Sequence, residues 1–345
     1  MKNLYDLVTS SNIVAYWLEK NLNTYKVGEQ LFPIKKEIGC EISWIKGANN
    51  QPVGLRLSAY DAKAIRRDRQ GIEKYKTEMP FFKESMVVDE KMRQSLNTLI
   101  QTQNESLIES IVAKIFDDQI KLITAAYETL ERMRMQLLTT GKLTLESNGQ
   151  AYSYDYGMPA SNKITVNKSW TDADADIIKD INDAKKLARK NGYKLTRAMC
   201  NSNLLESLTK NTAISKRIYV LSNGTTPITA TEVQKYIETE TGIVIFPNDE
   251  GYIDETTGNF VPYFADDVFV LFPDGELGET HFGVTPEESD LMNGSTGAEV
   301  SLVGNGIAVT TSKIIDPVNV DMKVTMVALP SFEQADGVFI FDVIK

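Results

Sequence analysis

Few side chains in this sequence suit acid–base, nucleophilic or metal chemistry, and their spacing argues against each in turn. His281 is the one histidine, and Cys40 and Cys200 are the two cysteines. A Ser-His-Asp or Cys-His nucleophile site has to recruit His281, as does any zinc site that uses histidine. Two cysteines cannot furnish a four-cysteine site. His281 sits in GELGETHFGVTPEE, acidic and punctuated by glycine, and reads as a solvent-facing or capping residue. Asp172, Asp174 and Asp176 alternate as in a calcium loop. The sixth position, however, is Ile177 and the twelfth Asp183, where such a loop needs glycine and glutamate, so these acids read as a helix start. Glu287 and Glu288 are adjacent, point different ways and belong to an acidic surface run. Gly304-Asn305-Gly306 lacks the third glycine and the following helix of a phosphate-binding turn, and no Walker-type loop occurs. The expectation is a chain with no catalytic residue, no cofactor and no metal; an enzyme running on carboxylates is the alternative from another class.

The distribution of charge is more informative. The chain has 345 residues, 47 acidic and 37 basic. Residues 248–345 carry 18 Asp or Glu and 3 Lys, a net of 3 − 18 = −15, which leaves 34 − 29 = +5 for residues 1–247. Such asymmetry suits a solvated acidic surface or a partner of complementary charge, including a neighbouring copy. The dense basic stretch is short: Lys63, Arg66, Arg67, Arg69, Lys74 and Lys76 around Gly71. It is compatible with phosphate, but the acidic C-terminal third makes ion pairing to an acidic neighbour the stronger reading. Hydrophobic content of 42% excludes disorder and fibre. No run of 18 apolar residues offers a membrane span, the start does not read as a signal peptide, and the lone cysteines suit a reducing compartment.

The elements that would position these residues follow from periodicity. Residues 1–30 read as an arm around Ile13, Val14, Trp17 and Leu18 that docks elsewhere, with a core helix as the competing local reading. EISWIKGANNQPVGLRLSAY (41–60) alternates and predicts a hairpin. From Phe81 to Thr140 no Gly or Pro occurs; Ile108, Ile111, Ile115, Leu122, Ala126, Leu130, Met133 and Leu137 mark one helical face. A short helix at 89–97 and a long one at about 105–139 are predicted, the latter ended by Gly141. A hairpin turns at Asn148-Gly149. After Thr171, helix and strand alternate, with a capping box at Thr229–Glu232 and a further hairpin around Gly258. The tail from 313 holds two β-rich stretches expected to close against the hairpin that follows the long helix.

Four segments carry a resemblance. MPFFKESMVVDEKMRQSL (79–96), ERMRMQLLTTGKLTLESNGQ (131–150), WTDADADIIKDI (170–181) and VALPSFEQADGVFIFDV (327–343) resemble, in order and at fitting distances, segments of the tailed-phage major capsid proteins of the lambda-type major head protein family. The resemblance runs from about residue 40 to the end; the arm and residues 201–320 match only in pattern. It implies the α+β major capsid fold shared by tailed phages and herpesviruses. Its parts would be an N-terminal arm (1–40), an extended β-hairpin loop (41–80), a peripheral domain with the long spine helix and hairpin (81–170), an inserted axial α+β domain (171–312) and return strands (313–345). It implies a head protein that self-assembles into hexamers and pentamers around double-stranded DNA, enclosed without sequence-specific contacts. Partners would be its own copies, portal and scaffold proteins and a decoration protein, with no membrane; the site would be the virion, assembled in the host cytoplasm. An encapsulin-like compartment shell is the nearest alternative. The loop would reach a neighbouring subunit, making Lys63, Arg66, Arg67, Arg69, Lys74, Lys76, Phe81 and Phe82 the candidate assembly contacts.

Overall fold

A computed structural model describes residues 4–20, 26–46, 73–88, 90–102, 105–147, 149–219, 226–255, 257–294, 298–314 and 319–344. The chain forms two compact units: 1–42, 76–133 and 279–331 make the first, and 43–75, 134–278 and 332–345 the second.

The first unit is built on the strand Asn319–Pro330, whose NVDMKVTMVALP is rich in β-branched and apolar residues and is buried along almost its whole length. Such a run suits a strand flanked on both edges. Ile307–Ile314 pairs with one edge, and Glu299–Val303 pairs in turn with that strand. Phe81–Val87 and Thr280–Phe282 share the other edge, and Ile34–Lys36 lies parallel to Thr280–Phe282. The helices Glu90–Thr102 and Glu105–Thr140 follow the strand at 81–87. At 36 residues the second is about 54 Å long, and the predicted stripe is its buried side, with Ile115, Leu130, Met133 and Leu137 at most 2% exposed.

The second unit holds a five-stranded sheet in the order Lys163–Thr165, Phe339–Asp342, Val268–Pro273, Leu195–Cys200, Val244–Pro247. The helices Ile177–Lys190, Ser202–Leu208, Thr212–Ile218 and Ala230–Thr241 complete its core. Trp170 is fully buried, its ring 5.1 Å from Phe269 and 5.8 Å from Phe341. Its Nε1–H donates to Asp180 at 3.0 Å, and burial raises that carboxyl above its ordinary value. Asp176 caps the helix Ile177–Lys190 by accepting from the Lys179 N–H, the role predicted for these acids. Both halves of the Thr229–Glu232 capping box are present.

The strand Glu41–Lys46 pairs with Glu73–Glu78; the rest of the hairpin expected over 41–60 lies within 47–72, outside the described residues. Two expectations change. Of the tail, only Phe339–Asp342 joins the sheet of the second unit; Asn319–Pro330 belongs to the first, and the hairpin Lys142–Ser147/Gln150–Asp155 stands as its own two-stranded sheet. A boundary at 312 is therefore not observed. Thr280–Phe282 and Ile307–Ile314 hydrogen-bond to opposite edges of the long strand, because a buried strand has to satisfy both edges. The N-terminal segment, expected as a docking arm or a core helix, packs within the first unit. Ile13 and Phe32 are fully buried, and Phe32–Gly39 is laced onto 280–284 by main-chain bonds of 2.8–3.2 Å.

Candidate assembly surfaces

The base of the basic loop is fixed by aromatic stacking in the second unit. Trp44 lies between Tyr75 and Tyr156, with centroids 5.4 and 5.3 Å away, and Lys46 pairs with Asp336 at 2.9 Å. In the first unit, Lys76 pairs with Glu41 at 2.6 Å, both side chains being 63% exposed. An ion pair so wet contributes little to stability, which leaves Lys76 available for exchange with another carboxylate. Lys74 is exposed. Lys63, Arg66, Arg67 and Arg69 lie outside the described residues. Phe81 is 45% exposed at the start of the outer strand Phe81–Val87, with Lys83 over its ring at 6.0 Å; Phe82 is half-buried. An outer strand ending in an exposed phenylalanine is an adhesive edge.

The acidic third is not uniformly a surface. Glu288 is buried and pairs with Lys36 at 2.6 Å; Glu287 pairs with Lys323 at 2.5 Å and accepts from Thr325 at 2.9 Å. Burial alone would raise the Glu287 carboxyl, but Lys323, a main-chain N–H and Thr325 together hold it below its ordinary value. Sequence adjacency gave no sign of this, because the partners come from residues 36, 323 and 325.

His281 also departs from expectation. It is 2% exposed, in the strand Thr280–Phe282, between the strands at 34–36 and 328–330. Its Nδ1 lies 3.0 Å from Glu37 Oε1 and its Nε2 3.1 Å from Ser331 Oγ. A carboxylate only accepts, so Nδ1 carries a hydrogen. Both ring nitrogens are engaged in joining Glu37 to Ser331, a structural use of the ring. Burial pushes the Cys200 thiol up to about 12, so it is no nucleophile at neutral pH.

Among the described residues no helix is long and apolar enough to cross a membrane. Exposed charge, exposed apolar side chains and outer strands are the materials of protein–protein contact.

Comparison with known proteins agrees. The fold is similar to a candidate capsid protein of an Escherichia coli CFT073 prophage, with TM-score 0.60 and 15% identity over 97% of this chain and 99% of that one. It is similar to a phage-related protein of Bordetella bronchiseptica RB50, with TM-score 0.55 and 12% identity over 97% of each chain. It is also similar to a chain of the satellite phage P4 procapsid, with TM-score 0.51 and 10% identity over 98% and 91%. No curated protein matches the sequence. The model of the phage major capsid protein E family matches residues 9–343, and with that span accounted for, the chain belongs to this family of shell-forming capsid proteins.

Proposed function

We propose that this capsid protein assembles into hexamers and pentamers that close an icosahedral phage head around double-stranded DNA, which it encloses without sequence-specific contacts. The observation that carries this reading is the family match over residues 9–343. The absence of dense basic tracts beyond 63–76 supports enclosure rather than sequence reading. The role is structural and non-enzymatic, in keeping with a single histidine whose ring is committed to packing. The first unit acts as the peripheral domain and the second as the axial domain. The basic loop reaches a neighbouring copy through Lys63, Arg66, Arg67, Arg69, Lys74 and Lys76, with Phe81 and Phe82 at its root. Many modest, reversible contacts allow misplaced subunits to leave before a shell closes. Portal, scaffold and decoration proteins complete the particle, which assembles in the host cytoplasm.

Electron microscopy of the purified full chain across salt and protein concentration tests this. Closed shells or capsomer rings are expected, with nucleic acid as contents in particles isolated from a producing host. A monodisperse monomer under all conditions overturns the reading, and an enzyme as contents replaces it with the encapsulin-like compartment.

A further inference from the structure

One hairpin of the second unit combines exposed apolar side chains with a surrounding chain segment whose charges are all negative. The hairpin Gly251–Ile253/Phe260–Pro262 pairs Ile253 with Phe260 and Gly251 with Pro262, so these four residues share one side. Ile253 is 61% and Phe260 57% exposed. Gly251 makes room for the Phe260 ring, since a Cβ there would stand 2.6 Å from its Cζ. The opposite side is turned inward, with Tyr252 stacked 6.1 Å from the buried Tyr263. The neighbouring outer strand Val244–Pro247 adds exposed Val244 and Phe246. From Asn248 to Gly278 the chain has eight carboxylates and no Lys or Arg, while Arg197, beside Val244 in the next strand, pairs with Asp274 at 3.6 Å.

The same unit carries the converse. From Ala184 to Lys194 there are five basic residues and no carboxylate. Lys186, Arg189, Lys190 and Lys194 are exposed at the end of the helix Ile177–Lys190 and in the turn after it. Burial and the nearby Arg189 and Lys194 hold the Lys185 ammonium below its ordinary value, a sign of crowded positive charge.

We propose that the hairpin face at 251–262 docks on the basic surface formed by Lys186, Arg189, Lys190 and Lys194 of a second copy of this chain. The inference rests on the shell-forming reading and names the contact within it. Two hairpin faces cannot dock on each other without opposing like charges, so the contact joins different patches. Repetition of such a heterologous contact gives a ring when the rotation between copies closes. The apolar ridge supplies burial, while the charges set register and suppress wrong partners.

The test uses the full chain and four variants: Ile253→Ser with Phe260→Ser; Glu250→Lys with Glu255→Lys; Lys190→Glu with Lys194→Glu; and the last two pairs combined. Assembly is read by sedimentation and microscopy, and folding by thermal unfolding midpoint. The first three are expected to keep the midpoint and lower assembled yield by about tenfold or more, the serine pair by removing apolar burial and the two reversals by opposing like charges. The combined variant restores complementarity, and its yield is expected to return to near that of the parent chain. Parent-like assembly of the serine variant and of both charge reversals overturns the inference and leaves the shell-forming reading intact. Impairment in both reversals without recovery in the combined variant overturns the pairing of these two surfaces. A parent chain that forms no shell or ring at any salt overturns the shell reading and this contact with it.

Discussion

The backbone N–H of Gly28 donates to Oε1 of Glu131 at 2.8 Å, and Glu131 has no solvent exposure. One turn earlier on the same helix, Glu128 lies 3.0 Å from the Lys26 ammonium. Two carboxylates three residues apart on the long helix thus grip the start of the helix Val27–Leu31. The free N–H groups of that start carry partial positive charge. The N-terminal segment is held in the first unit by buried, charge-assisted bonds as well as by apolar contact.

Glu131→Ala is therefore expected to lower stability by about 1.5–3 kcal/mol, the range for a lost hydrogen bond to a charged group. Glu131→Gln keeps an acceptor for Gly28 and is expected to lose less. Urea unfolding of the two variants checks the order; an unchanged midpoint for Glu131→Ala would show that the bond carries no stability.

Ile13 tests the apolar half of the same attachment. It is fully buried, whereas Leu18 on the same helix is 62% exposed. Ile13→Ala is expected to cost about 2–4 kcal/mol, and Leu18→Ala less than about 0.5. Removing residues 1–20 should lower the unfolding midpoint of the first unit. A truncated chain with the parent midpoint would return this segment to the status of a dispensable arm.

What sequence could tell followed from how local the signal was. The long helix was legible because sixty residues without Gly or Pro carry one apolar stripe, and its observed span is Glu105–Thr140. Thr229 with Glu232, and Asp176 at a helix start, act within three residues and were legible for the same reason. The partners of the strand Asn319–Pro330 come from 81–87, 280–282 and 307–314, and no periodicity within a strand names its neighbour. His281 and Glu288 looked exposed because their sequence neighbours are polar. They are buried because Glu37, Ser331 and Lys36 reach them from distant segments. Among the candidate assembly residues, Phe81 is 45% exposed. The engagement of Lys76 by Glu41 was hidden, because the two sit on opposite sides of a loop of more than thirty residues.

Asp117 should give the first unit a measurable acid dependence. Hydrogen bonds from Lys20 and then Tyr16 hold its carboxyl below the ordinary value, with the Tyr16 bond at 2.9 Å. A carboxylate lowered in the folded state adds stability above its unfolded pKa, near 4, and loses that contribution as pH falls through the folded value. The expected result is that Asp117→Asn differs from the parent at pH 7 and converges with it at strongly acid pH. The side chain is largely exposed, so the difference at pH 7 should be small and should shrink in high salt. Parallel stability–pH curves would exclude Asp117 as a contributor.

Two glycines of the hairpin at 251–262 should respond differently to alanine. A Cβ at Gly251 would stand 2.3 Å from the Val261 carbonyl oxygen and 2.8 Å from Pro262 Cα, both backbone atoms. The hairpin would have to open. Gly258 meets nothing within 4 Å, and its φ of +68° costs a non-glycine residue about 1–2 kcal/mol. Gly251→Ala is expected to speed amide hydrogen exchange along both strands, and Gly258→Ala mainly at the turn. Equal protection in both variants would contradict the close approach at Gly251.

The charge split makes its own prediction about assembly. Lys76 is presented in water, where a pair is weak and is screened over about 8 Å at physiological ionic strength. A contact built from several such cations is cumulative and sensitive to salt. Reversing Arg66 and Arg67 to Glu changes the local charge by four without touching a described core residue. The double variant is expected to keep the parent unfolding midpoint and to lose shell assembly at physiological salt. Raising the salt should weaken parent assembly and narrow the gap between the two chains. Parent-like shells from the double variant at low and high salt alike would mean that the basic loop does not set register, and that the apolar root at Phe81 and Phe82 has to hold the neighbour without it.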